Sequence, residues 1–256
     1  EDELIRNEKK ISSILRVAPV GIGLMVRRVF KEVNPRMCEM VGYGREELME
    51  KNSRMIYPAQ EEYDLAGLEK YRRIAEKGTG TVETRWLRKD GQIIDVLLCA
   101  TPLDPQDLDK GVTFTALDIT ERKRSEDRLR FLASTVEQAS ESVIIRDTEE
   151  LIRYVNPAFE ASSGYSAEEV VGHQMYFMEF NQENEALLEE VKETLVAGQV
   201  WSGRVQSLRK DGTAYMEDLS TTPIRDEQGK VVSYLTLKKD VTHELELEDQ
   251  LRQSQK

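Results

Sequence analysis

Asp118-Ile119-Thr120-Glu121-Arg122 closes one pattern and opens another, and its core returns near the C-terminus as Asp240-Val241-Thr242. In each copy the threonine hydroxyl stands where it can cap a helix, with Glu121 or Glu244 at the positive end of the dipole. A strand is therefore predicted to feed straight into a helix. Along the first, predicted over 121–139, Leu129, Leu132, Val136 and Ala139 recur at three-four-three spacing among charged residues. That narrow seam suits a helical connector or a two-stranded coiled coil, although an amphipathic helix lying on its own domain shares the pattern.

Working outward, the chain repeats itself. Asn34-Pro35 returns as Asn156-Pro157, Gly42-Tyr43 as Gly164-Tyr165 and Glu46-Glu47 as Glu168-Glu169, all displaced by 122 residues like Asp118 and Asp240. Arg88-Lys89-Asp90-Gly91 and Thr101-Pro102 return displaced by 121, as Arg209-Lys210-Asp211-Gly212 and Thr222-Pro223. An ordered series with slips of a single residue marks two homologous domains in tandem.

Each copy reads alike. Residues 1–18 form a charged entry helix with Leu4, Ile11, Ile14 and Ala18 at heptad-like spacing. Short apolar runs, 21–26 and 142–146, are first strands. Second strands end at Val33 and Val155, where the Asn can cap a helix whose first position tolerates proline. Short helices follow, and then longer ones over 61–77 and 182–197, stopped by Gly78 and Gly198. Strands 81–88 with 92–98, and 199–209 with 213–220, flank Asp-Gly, the signature of a tight hairpin. In the second copy Asp226-Glu227-Gln228-Gly229 turns into a last strand, 231–237; the matching turn in the first copy, 104–111, is longer and more acidic. Two strands, a helical block and three antiparallel strands predict an α+β unit, with helices on one face of one sheet and space for a ligand between them.

The chain has 256 residues, a third of them charged, with a net charge of −12. Its length accommodates two cores. Residues 1–122 carry 20 basic and 22 acidic side chains and the remainder 16 and 26, so the second half repels phosphate backbones and nucleic acid is not an expected partner. No run is long and apolar enough for a membrane span and no secretory signal is read, so membrane contact is not expected and the segment is expected in the cytoplasm. Cys38 and Cys99 form no CxxC pair, and His173 and His243 are the two histidines, so no metal site is predicted.

The Asn-Pro, Gly-Tyr, Glu-Glu-Leu, Arg-Lys-Asp-Gly and Asp-Ile-Thr-Glu-Arg series resembles the PAS domain family over nearly all of both copies. The resemblance implies a five-stranded antiparallel sheet with a helical flank, a sensory or dimerisation role, and flanking helices that carry signals. The last residues, from Leu247 to Lys256, are similar to the segment that enters the phosphoacceptor helix of bacterial sensor histidine kinases. The kinase itself is not in this sequence.

Asn52-Ser53-Arg54-Met55-Ile56 is similar to the Asn-Cys-Arg-Phe-Leu run of the flavin-binding LOV photoreceptors, with Ser53 where their reactive cysteine stands. A hydroxyl cannot replace that thiol in the photochemical adduct. Flavin binding in that family also needs amide side chains on the last three strands, where this chain offers Trp86, Val96 and Ala116, or Ser207, Glu217 and Lys238. The first set leaves the flavin edge unpaired and the second buries charge against it. Haem needs an axial ligand; the first copy has no histidine, and His173 reads as a surface or capping group. No flavin, haem or other cofactor is therefore predicted, and no catalytic residues. An unidentified small molecule would meet Met25, Met40, Tyr57, Trp86 and Cys99 in the first copy, or Phe159, Tyr176, Phe177 and Trp201 in the second; plain core packing uses the same residue types.

The resulting architecture is an entry helix over 1–19, domains over 20–120 and 140–242, a connecting helix over 121–139 and an exit helix over 243–256. The expected function is sensory, relayed through Asp118, Thr120, Leu129, Leu132, Val136, Asp240 and Thr242 to a downstream output, a kinase, in a homodimer. The alternative is a ligand-free interaction module that sets the spacing of its output domain.

Overall fold

Arg6, Ser13, residues 15–174 and residues 185–254 are described by a computed structural model. The expected seam residues Leu4, Ile11 and Ile14, the expected pocket residues Tyr176 and Phe177, and the end of the exit segment lie outside the described residues. Arg6, Ser13 and Leu15 to Val17 are helical.

The chain divides into Glu1–Arg128 and Leu129–Lys256. In the first unit, β1 (Gly21–Val26) and β2 (Val29–Val33) lead into α1 (Pro35–Val41), α2 (Arg45–Leu48), a 3-10 turn (Ser53–Ile56) and α3 (Gln60–Lys77). Next come β3 (Gly80–Leu87), β4 (Ile93–Pro102) and β5 (Val112–Asp118), and then α4 (Thr120–Glu137). The second unit repeats this with β6 (Ser142–Arg146), β7 (Ile152–Val155), α5 (Pro157–Ser163), α6 (Ala167–Val170) and α7 (Glu185–Val196). It closes with β8 (Trp201–Leu208), β9 (Ala214–Arg225), β10 (Val231–Asp240) and α8 (Thr242–Ser254). Both sheets are antiparallel, in the orders β2-β1-β5-β4-β3 and β7-β6-β10-β9-β8.

The repeated motifs are joints. Asn34 Oδ1 accepts from Met37 N–H at 3.0 Å, capping α1, and from Ile22 N–H at 2.9 Å, so one side chain fastens helix to strand. Asn156 repeats both bonds, to Phe159 at 3.1 Å and Val143 at 2.8 Å. Gly42 and Gly164 end their helices at φ 74° and 79°, a conformation open to glycine at little cost. The Arg-Lys-Asp-Gly turns then close onto those helix ends: Lys89 N–H donates to Val41 O and Lys210 N–H to Ser163 O, both at 2.9 Å. Each turn is a type I turn followed by a glycine at positive φ, rather than a two-residue hairpin, because only Gly91 and Gly212 take positive φ there.

The first core is one continuous cluster. In β4, Ile94, Val96, Leu98 and Ala100 are buried, and Phe114 packs on Phe30 with ring centroids 6.0 Å apart. Phe114 also lies over Gly23, where an added Cβ would stand 2.6 Å from the ring. The second core is different: among the described residues it falls into two clusters, one around Ile144, Ile152, Val155, Phe159 and Val170, the other around Trp201, Val205 and Leu219.

Candidate sensing and relay sites

The expected relay residues mark where helices leave the sheets, with a correction to their roles. Thr120 does not cap α4 with its hydroxyl. Its Oγ1 instead accepts from Asp95 N–H in β4 at 2.9 Å, and Asp118 Oδ1 accepts from Thr120 N–H at 2.9 Å. Ile119 N–H donates to Asp95 O at 2.9 Å. The second copy is identical in pattern: Thr242 Oγ1 accepts from Met216 N–H at 2.9 Å, Asp240 Oδ1 from Thr242 N–H at 2.9 Å, and Val241 N–H donates to Met216 O. Aspartate, with two lone-pair-rich oxygens, takes the helix-start amide and leaves the threonine to hook a neighbouring strand. Burial raises the Asp240 carboxyl, but the Thr242 N–H and the Arg209 guanidinium more than reverse this and hold it below its usual range. Arg209 Nη2 reaches Asp240 Oδ2 at 2.5 Å.

Helix arrival is controlled by a residue that the sequence marked only as a cap. Asn156 Nδ2 donates to Val136 O at 3.2 Å, in the last turn of α4, and to Glu141 O at 2.9 Å. Asn34 does the same for the incoming chain at Leu15 O and Val20 O, both 3.0 Å. Each domain thus grips its incoming helix with asparagine and its outgoing helix with Asp-x-Thr. Leu129 and Leu132, on the connecting seam, are 68% and 51% exposed, and Leu251, nine residues into α8 as Leu129 is into α4, is 62% exposed.

Of the expected pocket residues in the first domain, Met25, Met40, Tyr57 and Trp86 are buried in the core. Cys99 is not with them. Side chains alternate along a strand, and Leu98 and Ala100 take the inner face, so Cys99 points to the other side, beside Thr81 Oγ1 at 3.4 Å. The expected flavin-edge positions Trp86, Val96 and Ala116 are 2%, 0% and 0% exposed; their one polar atom, the indole N–H, has no hydrogen-bond partner among the described residues. That edge does not fit a flavin ring. At the end of this core, Arg28 stacks on Tyr63, 3.2 Å from the ring centroid, and lies across Gly67. Lys70 is 3% exposed nearby; burial first, and Arg28 second, lower its ammonium to about 8.

In the second domain Phe159 and Trp201 are buried, and among the described residues they fall in separate clusters. Strand register aligns the inner faces. Met25 opposite Val112 matches Arg146 opposite Tyr234, and Phe114 opposite Gly23 matches Thr236 opposite Ile144. Trp86, Val96, Ala100 and Ala116 likewise match Ser207, Glu217, Thr221 and Lys238. At all six positions the first domain is apolar and the second polar, and each polar residue is at most 5% exposed. Lys238 Nζ meets Glu217 Oε1 at 2.9 Å, and Ser207 Oγ donates to the same oxygen at 2.6 Å. The Thr221 and Thr236 hydroxyls are 3.0 Å apart, and Arg146 Nη2 stands 3.3 Å from Thr236 Oγ1. Arg146 also pairs with Glu150 through Nη1, while its Nε has no partner among the described residues. Trp201 supplies bulk at the far end of β8, its ring over Gly203.

Two antiparallel sheets, each with a helical flank and a helix hooked to its last strands, define a tandem sensory module. The chain belongs to the PAS domain family, whose profile matches residues 19–121 and 140–243. It is 32% identical over 117 residues to a nitrogen fixation regulatory protein of Klebsiella oxytoca, covering 46% of this chain and 24% of that protein. It is 34% identical over 144 residues to the sensor protein TdiS of Thauera aromatica, covering 56% of this chain and 25% of that one. The chain thus spans about a quarter of the length of either relative. A PAS domain structure from Colwellia psychrerythraea aligns with 45% of this chain and 98% of its own, at 23% identity and a TM-score of 0.43. Among the described residues no helix is long and apolar enough to cross a membrane.

Proposed function

We propose that this segment detects a small molecule and relays its presence through α4 and α8 to a C-terminal histidine kinase, working as a cytoplasmic homodimer in two-component signal transduction. The observation that carries the reading is the Asp-x-Thr joint. Thr120 and Thr242 bond their helix starts to β4 and β9, so a change in strand position is passed to a helix without slack. Exposed Leu129, Leu132 and Leu251 favour a second copy of the chain as the cover for both seams, in a coiled coil. A signal shifts the balance between two helix arrangements only as far as it prefers one of them. Neither domain is assigned a flavin, haem or metal.

The first domain favours the alternative role, a ligand-free spacer and dimerisation unit, because its core is one continuous apolar cluster. The relay is tested by fusing the segment to a histidine kinase and inserting one residue after Ser125. The insertion rotates everything downstream by about 100° and is expected to invert or abolish kinase control. Unchanged activity with unchanged signal dependence would overturn it.

A further inference from the structure

We propose that the second domain is the ligand-holding member of the pair, and that it takes a small polar metabolite whose carboxylate sits on Arg146 and Thr236 and whose hydrogen-bond donors reach Glu217. This deepens the sensory reading above and rests on it. Three observations converge. The first is the substitution of polar for apolar side chains at six matched inner-face positions, alongside others such as Leu98 and Leu219 that stay apolar, on a sheet whose other copy needs none of the polar groups to fold. A buried ion pair such as Lys238–Glu217 adds little or nothing to stability compared with apolar packing, so the fold alone gives no reason for the exchange.

The second is Arg146. It is 4% exposed; among the described residues Nη1 is committed to Glu150, Nη2 has the long 3.3 Å contact with Thr236, and Nε has no partner. The Nε–Nη2 edge is the side of a guanidinium that receives a carboxylate through two parallel bonds. Leaving a buried donor there unmet is costly, and an anion meets it. The third is that, among the described residues, the apolar core falls into two clusters, with the polar layer on the strands between them. An apolar guest would leave the Nε–Nη2 edge of Arg146 unmet and dry, so the layer selects against it.

The test uses the whole chain in a Trp86→Phe background, so that Trp201 emission reports melting of the second domain. Succinate and L-glutamate are the probes and toluene the apolar control, each at about 10 mM, alongside native mass spectrometry of the chain as purified. The expected result is a raised transition temperature with succinate or glutamate, or a retained polar molecule in the native mass, and no effect of toluene. Arg146→Gln and Thr236→Val are each expected to weaken binding about tenfold or more. Thr236→Val is nearly isosteric and keeps the test alive if Arg146→Gln does not fold. Glu76→Gln, on the exposed face of α3 in the first domain, is expected to change nothing. The proposal is overturned if the native mass is that of the polypeptide alone and neither probe raises the transition, or if binding survives both second-domain substitutions. Binding without any effect on a fused kinase would sink the relay and leave the site standing.

Discussion

Replacing Lys70 by methionine keeps the aliphatic stem and removes a charge that the first domain holds almost entirely out of water. The ammonium titrates at about 8 in the folded chain against 10.5 as a free side chain, because burial and then Arg28 disfavour its charged form. One pKa unit is worth about 1.4 kcal/mol, so the buried charge costs roughly 3 kcal/mol when protonated in both states. The sign follows from proton counts. Below pH 8 folded and unfolded chains both carry the proton and the full cost is present. Between 8 and 10.5 the unfolded chain binds more protons than the folded one, so wild-type stability rises with pH; above 10.5 the cost is gone. Lys70→Met is therefore expected to stabilise the first domain by roughly 1–3 kcal/mol at pH 7, with the advantage vanishing towards pH 10.5. Burial raises the phenols of buried Tyr57 and half-buried Tyr71 above their ordinary value of 10, so the comparison is read up to pH 10. Urea titration at several pH values, read from Trp86 emission in a Trp201→Phe background, isolates this domain. A methionine variant less stable than wild type at pH 7, or a difference that does not change with pH, would refute the reasoning.

The joints give three further expectations. Asp240→Asn removes the charge paired with Arg209 and is expected to cost roughly 1–2 kcal/mol at pH 7. Because the folded carboxyl is held below its ordinary value of 3.8, that contribution is complete above pH 3.8 and is lost as pH falls through the folded value. Denaturation of the second domain at a series of pH values from 7 downward checks the direction. Asn156→Ala removes the cap of α5 and the grip on Val136 O and Glu141 O together, for roughly 2–3 kcal/mol. Hydrogen exchange is then expected to speed up at the Phe159 and Val143 amides. Thr120→Val leaves the Asp95 amide without its acceptor, at roughly 1–2 kcal/mol; exchange at that amide should rise while the rest of β4 stays protected.

Much of the fold was legible because it depends on local signals used twice. Asn-Pro, Gly-Tyr and Arg-Lys-Asp-Gly gave the joints, and the displacement of 121–122 gave the domain count. Strand ends were harder. The strand expected over 213–220 runs on, as β9, through Pro223 to Arg225. Trp201, the first residue of β8, pairs with Thr221, so Pro223 lies past the end of that neighbour and its missing N–H faces no strand on that side. Pro102 stands in the same relation to Gly80 in the first domain. Such tolerance is set by the length of a partner strand, which local sequence does not contain.

The site was half legible for a similar reason. Ser207, Glu217 and Lys238 were visible as polar residues at positions where a flavin edge would sit, whereas Arg146, Thr221 and Thr236 join them only through strand register. Alternation along β6 carried the signal: Ser142 and Arg146 lie two residues either side of Ile144, and all three are buried. Once the register is known, the polar layer and the Asp-x-Thr joint are neighbours along the chain. Glu217, the carboxylate of the polar layer, follows Met216, whose amide bonds Thr242 Oγ1 and whose carbonyl receives the Val241 N–H. Glu217 is itself paired across the sheet with Asp240. A ligand that draws on Glu217 therefore acts one peptide from the hook of α8, and its leverage needs no long pathway. In the first domain the same place is Val96, beside Asp95 and its hook to Thr120, where an apolar side chain at 0% exposure gives a polar ligand nothing to hold. The two domains thus share one strand-to-helix joint, and in the second the proposed site stands beside it.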